Sequence, residues 1–209
     1  MKVGILCERS GVVREAFRAL GHDAWSCDLV PADDGSPYHF KKDCMEVATY
    51  GWDLLIAHPS CQYLAVSGNR HYGKGTAGYN KRLESIAWTT ELWFLMTKHS
   101  TAVAMENPVG ALPFVPNQYV QPWMFGHPEN KKTGLWLWNL PLLEDTDNVK
   151  LEMEALPVAV ANRIHHMPPS KERSKMRSVT YQGIADAMAA QWSEPHHVQI
   201  DMFGVNYGC

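Results

Sequence analysis

The opening thirty residues constrain the fold more than any other stretch of the chain. KVGILC is a short apolar run and ERSG a turn in which Ser10 can cap a helix. Val12, Val13, Ala16, Phe17 and Leu20 then line one face of that helix, whose other face carries Arg14, Glu15 and Arg18. Gly21 ends it, and HDAWSCDLV follows as a second strand finishing on Asp28. Strand, helix and strand in so short a span make a βαβ unit, which predicts a right-handed parallel crossover. The alternation continues. DLLIAHP, from Asp53, is a buried strand, residues 82–99 a helix, STAVAMENP a strand ending at Glu106, QYVQPWMF and GLWLWNLP later strands, and GIADAMAAQW the last helix. Strands apolar on both faces and separated by helices predict an α/β fold with a doubly wound, mostly parallel sheet.

Ligands in such sheets bind beyond the carboxyl ends of the strands. Those ends carry Cys7-Glu8, Asp28, His58-Pro59-Ser60-Cys61, Glu106-Asn107 and residues near Gly126. A thiol and three carboxylates are therefore expected around one crevice.

Composition narrows the class further. The chain has 209 residues, 45% of them hydrophobic and 20% charged, which suits one domain that folds without disulfides or metal. Cys7, Cys27, Cys44, Cys61 and Cys209 are odd in number and form no C-x-x-C pair, so neither a disulfide framework nor a zinc ribbon follows. His165-His166 and His196-His197 lack matched partners, and no metal site is expected. No apolar run reaches the roughly 18 residues that cross a bilayer, and MKVGILCERSG lacks the apolar stretch and cleavage site of a signal peptide. A soluble, cytoplasmic protein with no membrane partner is the expectation. The formal net charge of −3 argues against holding nucleic acid by overall charge, yet the total hides opposing stretches. Residues 140–160 have five acids and one Lys, whereas residues 163–177 have five basic residues and one acid.

Several residues have the chemistry for a site. Backbone amides after Glu8 and Ser10 could bind an anion or a polar cofactor edge, with Gly11 letting the chain pass close. The turn is not G-x-G-x-x-G, so a dinucleotide is not favoured. Asp28, at the end of the second strand, suits a ribose diol or a solvated strand terminus, and spacing leaves both open for it and for Asp43. Cys61 follows a buried strand and a Pro-containing turn, where nearby amides and cations could stabilise its thiolate. Residues 64–82 contain Gly68, Gly73, Gly75 and Gly78 with Arg70, His71, Lys74, Lys81 and Arg82, which reads as a basic, mobile lid loop beside that thiol. Glu106, fixed by Asn107-Pro108, could stay protonated or share a proton with a substrate nitrogen. Most of the eight tryptophans suit a core, while Trp123, Trp136 and Trp138 could border a pocket for a base.

In this order, the pieces resemble the DNA cytosine-5 methyltransferase family over nearly all of residues 3–192. VGILCERSGVVREAF resembles the family's strand-turn-helix opening, HPSCQ its Pro-Cys-Gln nucleophile motif, and Glu106-Asn107-Pro108 its Glu-Asn-Val motif. GHPENKKTGLWLW resembles its Gly-x-Pro-Gln-x-Arg-x-Arg segment, and RSVTYQGIADAMA its closing Asn-Ser-Val segment and helix. The HP-x-C turn, ENP and PWMFGHPE together resemble its compact, phage-encoded members, and a phage-encoded chain would work in a bacterial host cytoplasm. Departures stand beside the matches. Arg9 and Val12 occupy positions where Gly is usual, Ser60 replaces the second Pro, Lys131 and Lys132 represent the arginines, and Arg177 the asparagine.

The resemblance implies a Rossmann-like, S-adenosylmethionine-dependent methyltransferase fold and transfer of a methyl group to carbon 5 of cytosine in DNA. It implies Cys61 as nucleophile, Glu106 at the base edge and Lys132 as a positioning group. It implies that Cys7, Glu8, Ser10 and Gly11 line the methionine end of S-adenosylmethionine, Asp28 the ribose, Leu29 and Asp43 the adenine, with Pro59, Ser178 and Val179 completing the pocket. Gln62, Arg70, Lys74, Arg82, Lys131, Arg173 and Lys175 are the expected contacts to DNA, presented as a duplex with a flipped base or as a single strand. Residues 1–139 and 177–193 would form the catalytic domain, 140–176 a minimal target-recognition insertion, and 194–209 a tail. So small a reading segment implies short or loose specificity, or help from a second copy in a homodimer. The alternatives are a catalytically weak DNA- or nucleotide-binding protein of the same fold, and an enzyme modifying free cytosine nucleotides.

Overall fold

A computed structural model describes residues 1–167, 170 and 176–193. Strands β1 (Lys2–Leu6), β2 (Asp23–Asp28), β3 (His39–Lys41), β4 (Trp52–Ala57), β5 (Ser100–Pro108), β6 (Gln118–Val120) and β7 (Thr133–Trp138) form one sheet in the order β3-β2-β1-β4-β5-β7-β6. β1 pairs in parallel with β2 and β4, β2 with β3, and β4 with β5; β7 alone runs antiparallel to its neighbours β5 and β6. The chain winds outward through β2 and β3, then returns to the other side of β1. That reversal puts a crevice at the carboxyl ends of β1 and β4.

Strand period 2 divides the core into two layers. Val3, Ile5, Leu54, Ile56, Leu135 and Leu137 face α1 (Val12–Ala19) and the closing helix Gln182–Gln191, packing with Val13, Phe17, Ile184, Met188 and Trp192. Leu6, Leu55, Ala57, Val103, Met105 and Trp136 face α2 (Cys44–Val47) and α4 (Tyr79–His99), packing with Val47, Leu92 and Met96. Gly4 is required in β1: a Cβ there would lie 2.6 Å from Leu55 Cδ1 and 2.9 Å from the Trp52 ring.

Three expectations change. Arg14, assigned to the solvent face of α1, is fully buried. Its guanidinium donates to Ser26 Oγ at 2.7 Å, to Glu15 and to Asp34, so it anchors the β2–β3 connection to α1. The strand expected over QYVQPWMF stops at Val120; Pro122, without an N–H for a ladder, opens a 3₁₀ turn over Pro122–Met124. Residues 64–82 are not one open loop. They hold a 3₁₀ turn (Val66–Gly68), α3 (Asn69–Tyr72) and the first turn of α4.

Residues 140–167 add α5 (Lys150–Ala155), α6 (Val158–Ala161) and α7 (Arg163–His166). They are tied to the sheet side by Gln118 to Leu143 and by Asn130 N–H to Ala161 O. No described helix is long and apolar enough to cross a membrane. The segment 194–209, with His196-His197 and Cys209, lies outside the described residues.

Candidate functional site

The crevice has a volume of about 660 Å³. Its walls include Cys7, Glu8, Ser10, Asp28, Pro59, Cys61, Gln62, Glu106, Lys131, Lys132, Ser178 and Val179, so twelve sequence-predicted site residues meet around one space. His58, Arg9, Asp33, His71, Ile164, Ser170 and Arg177 also line it, without having been singled out as site residues.

Each wall follows from local structure. At the end of β1, Cys7 adopts a left-handed φ of 57°, which turns the chain toward α1. Glu8 is 5% exposed and caps α1, its carboxylate accepting N–H bonds from Val13 at 2.7 Å and Arg14 at 3.3 Å. Burial raises the Glu8 pKa, opposed by His58 and the two helix N–H groups. Gly11, at φ 77°, enters α1 in a conformation that other residues adopt at a cost, and a Cβ there would meet Arg14 and Asp34. Gly11 shapes this turn but is not itself a wall of the crevice. Arg9 reaches across to Asp33, with Nη2 2.8 Å from Oδ1. Asp28 Oδ1 accepts the Val30 N–H at 3.2 Å, which orients its carboxylate at the end of β2.

On the other side, the turn after β4 is pinned to the end of β5: Asn107, 1% exposed, donates from Nδ2 to Pro59 O at 2.8 Å. His58 Nδ1 lies 3.2 Å from Glu106 Oε2. Burial alone would raise the Glu106 pKa, but the His58 hydrogen bond, the charges of Lys131 and His58, and Thr133 together hold it below the usual carboxylate range. Glu106 is thus ionised near neutral pH, which disfavours the first of its two expected states, a carboxyl kept protonated, and leaves the second, sharing a proton with a substrate nitrogen. Cys61 differs the other way. Burial pushes its thiol up, only partly countered by Arg177 and Lys131, while Glu106 adds to the rise. The expected stabilisation of a thiolate by nearby cations is present but outweighed by burial, which favours the thiol.

The cation acting on both groups is Lys131 rather than Lys132. Lys131 Nζ donates to Arg177 O at 2.8 Å, which ties residues 177–179 to the crevice wall. Lys132 Nζ instead lies 4.2 Å from the centre of the Tyr119 ring. Lys131 was expected at DNA, and its position inside the wall is better suited to holding the pocket together.

Other predicted residues lie elsewhere. Arg82, expected at DNA, is 6% exposed and donates to Tyr63 O at 2.7 Å, Asn69 Oδ1 at 2.6 Å and Ala65 O at 3.1 Å. It braces the segment after Cys61, and its buried guanidinium is consumed there. Arg70 and Lys74 are exposed beyond the crevice wall. Leu29 is 70% exposed, and Asp43 accepts the Met45 N–H at 2.9 Å to cap α2; neither lines the crevice. Arg173 and Lys175 fall outside the described residues. Trp136 is buried with Nε1 bonded to Phe114 O, Trp138 is 48% exposed, and Trp123 stacks with Lys150, so none of the three borders the crevice.

Compared with models of known protein families and with curated proteins, the chain matches none.

Proposed function

We propose that the protein is an S-adenosylmethionine-dependent methyltransferase acting on carbon 5 of cytosine in DNA, built on a Rossmann-like methyltransferase fold. The observation that carries this reading is the convergence of Cys61 and Glu106, from turns after β4 and β5, on the crevice that Cys7, Glu8, Ser10 and Asp28 line from β1 and β2. The donor set fits the cofactor. Asp28 offers an oriented carboxylate to a ribose diol, and the Glu8-capped turn before α1 offers a polar wall to an amino-acid end. S-adenosylmethionine, when bound there, supplies the electrophilic methyl that carbon 5 takes up.

The chain's own residues do the rest. Carbon 5 of cytosine is a poor nucleophile until a group adds at carbon 6. Before substrate binds, the raised Cys61 and lowered Glu106 pKa values put one proton on the thiol and leave the carboxylate ionised. Moving that proton from Cys61 to Glu106 leaves a thiolate and an acid. The thiolate forms the bond to carbon 6, and Glu106 gives its proton to ring nitrogen 3 as the electron pair arrives, while accepting a hydrogen bond from the 4-amine. After carbon 5 is methylated its hydrogen leaves to water, the carbon–sulfur bond breaks, and nitrogen 3 returns its proton to Glu106. Lys131 and Arg177 stabilise the thiolate in both directions. Lys132 and His71 on the rim suit the phosphates of a strand whose base has been turned inward.

The test is mass spectrometry of nucleosides from cytosine-containing DNA incubated with the protein and S-adenosylmethionine, together with DNA carrying 5-fluorocytosine. The expected results are 5-methylcytosine and a covalent adduct at Cys61. Binding of both ligands with neither product nor adduct would leave a binding protein, and methylation of dCMP but not of DNA would leave a nucleotide enzyme.

A further inference from the structure

His58 precedes the thiol turn by an apparently unremarkable three positions, yet the sheet register gives it a task. β4 and β5 are parallel, with Ala57 beside Met105. The next residue on each chain therefore also stands side by side, which brings His58 against Glu106. The imidazole has little freedom. His58 is nine-tenths buried, its backbone N–H is bonded to Leu6 O at 3.0 Å, and the following Pro59 is held by Asn107. Nε2 is buried without a partner among the described residues. The ring's one polar contact among the described residues is thus Nδ1 to Glu106 Oε2, and since an ionised carboxylate only accepts, Nδ1 is protonated. A buried imidazole that leaves one nitrogen unsatisfied is explained by what the other nitrogen does.

We infer that His58 is a positioning residue, whose Nδ1–H fixes the direction in which the Glu106 carboxylate faces the crevice. The inference rests on the proposed reaction for its purpose, but on the β4–β5 register for its geometry. Thr133 and Lys131 approach Glu106 from β7 and the segment before it, so the carboxylate is held from two sides of the sheet. The charged groups facing this pair are Lys131, with Cys61 beside Glu106 and Glu8 acting on the imidazole from the end of β1. Lys131 acts on the carboxylate as a point charge, so the directional hydrogen bonds that set its plane come from His58 and Thr133.

Two measurements test this separately from the reaction. Long-range ¹H–¹⁵N NMR of the full chain should find the His58 proton on Nδ1. Carboxyl ¹³C NMR, with Glu106 assigned through Glu106→Gln, should find its titration below the ordinary glutamate range in the wild type. That midpoint should rise in His58→Leu and stay low in His58→Asn, whose side-chain N–H can replace Nδ1. In turnover assays His58→Leu should lower kcat by about 100-fold with the KM for S-adenosylmethionine unchanged, and His58→Asn should recover most of it. A neutral ring with its proton on Nε2, or a Glu106 titration unmoved in His58→Leu, would overturn the inference. A wild type that forms no 5-methylcytosine would overturn the reaction and leave the two NMR results to decide the role of His58.

Discussion

At the scale of single residues, Cys61 and Glu106 hold their protons in the opposite sense to the one the proposed reaction needs, and this fixes how the site should respond to pH. Burial raises the Cys61 pKa and Arg177 and Lys131 lower it. Alkylation of Cys61 by iodoacetamide should therefore have a midpoint above that of an ordinary cysteine, roughly pH 8.5. Lys131→Gln, by removing a lowering charge, should push the midpoint higher still; a shift downward would contradict the assignment. Cys61→Ala should abolish product while S-adenosylmethionine binding, measured by titration calorimetry, survives. Glu106 gives a second pH signature. Its folded pKa lies below its unfolded one, so its ionisation adds stability above the unfolded value of roughly 4.3, lost as pH falls through the folded value. The stability difference between wild type and Glu106→Gln in urea melts should move in the direction of favouring Gln as pH is lowered across that window.

At the scale of elements, Arg82 shows how one buried cation replaces a hydrophobic cluster. The segment between β4 and α4 has little apolar content of its own, apart from Leu64, Ala65 and the edge-to-face pair of Tyr63 and Tyr72. Its backbone carbonyls at Tyr63 and Ala65 are instead satisfied by Arg82. Arg82→Leu should cost about 2–4 kcal/mol in chemical denaturation, since two carbonyls and Asn69 lose their donor. Limited proteolysis should then cut first within residues 64–78. This is also where sequence reading reached its limit. The βαβ opening was legible because its signals are local: an apolar run, a turn, a one-sided helix and Gly21. The roles of Arg14 and Arg82 were not, because their partners Asp34 and Tyr63 are about twenty residues away in the chain and touch them only once the sheet has formed. β3, at three residues, is too short to show a period, and the reversal of β7 leaves no mark on its composition. Strand-end chemistry placed Cys61, Glu106 and Asp28 at one crevice, whereas the different partners of the adjacent Lys131 and Lys132, Arg177 O and the Tyr119 ring, are set by segments distant in the chain.

At the scale of the whole molecule, the crevice lies at the carboxyl edge of a sheet whose two faces carry separate core layers. α1 and the closing helix pack together on one side, so the first and last described helices jointly hold the wall that Glu8 and Ser10 form. A ligand filling that wall should stabilise the entire domain. At one hundred times its dissociation constant, S-adenosylmethionine should add about 2.7 kcal/mol and raise Tm by roughly 5–10 °C, with the same shift in Cys61→Ala. A Tm insensitive to S-adenosylmethionine would count against the cofactor assignment and leave the fold untouched.

The antiparallel course of β7 has one more consequence. Because β7 enters the sheet at the crevice, with Thr133 opposite Pro108, it leaves at the opposite rim, with Trp138 opposite Val103. Asn139 there takes a left-handed turn at φ 54° and bonds to Thr101 O, and Trp138 is half exposed. The strand thus spans the sheet from the crevice edge to the edge opposite it. An affinity tag or fluorophore grafted at 139–140 would sit a full strand length from the crevice, making that corner a natural handle for immobilising the protein with its crevice facing outward.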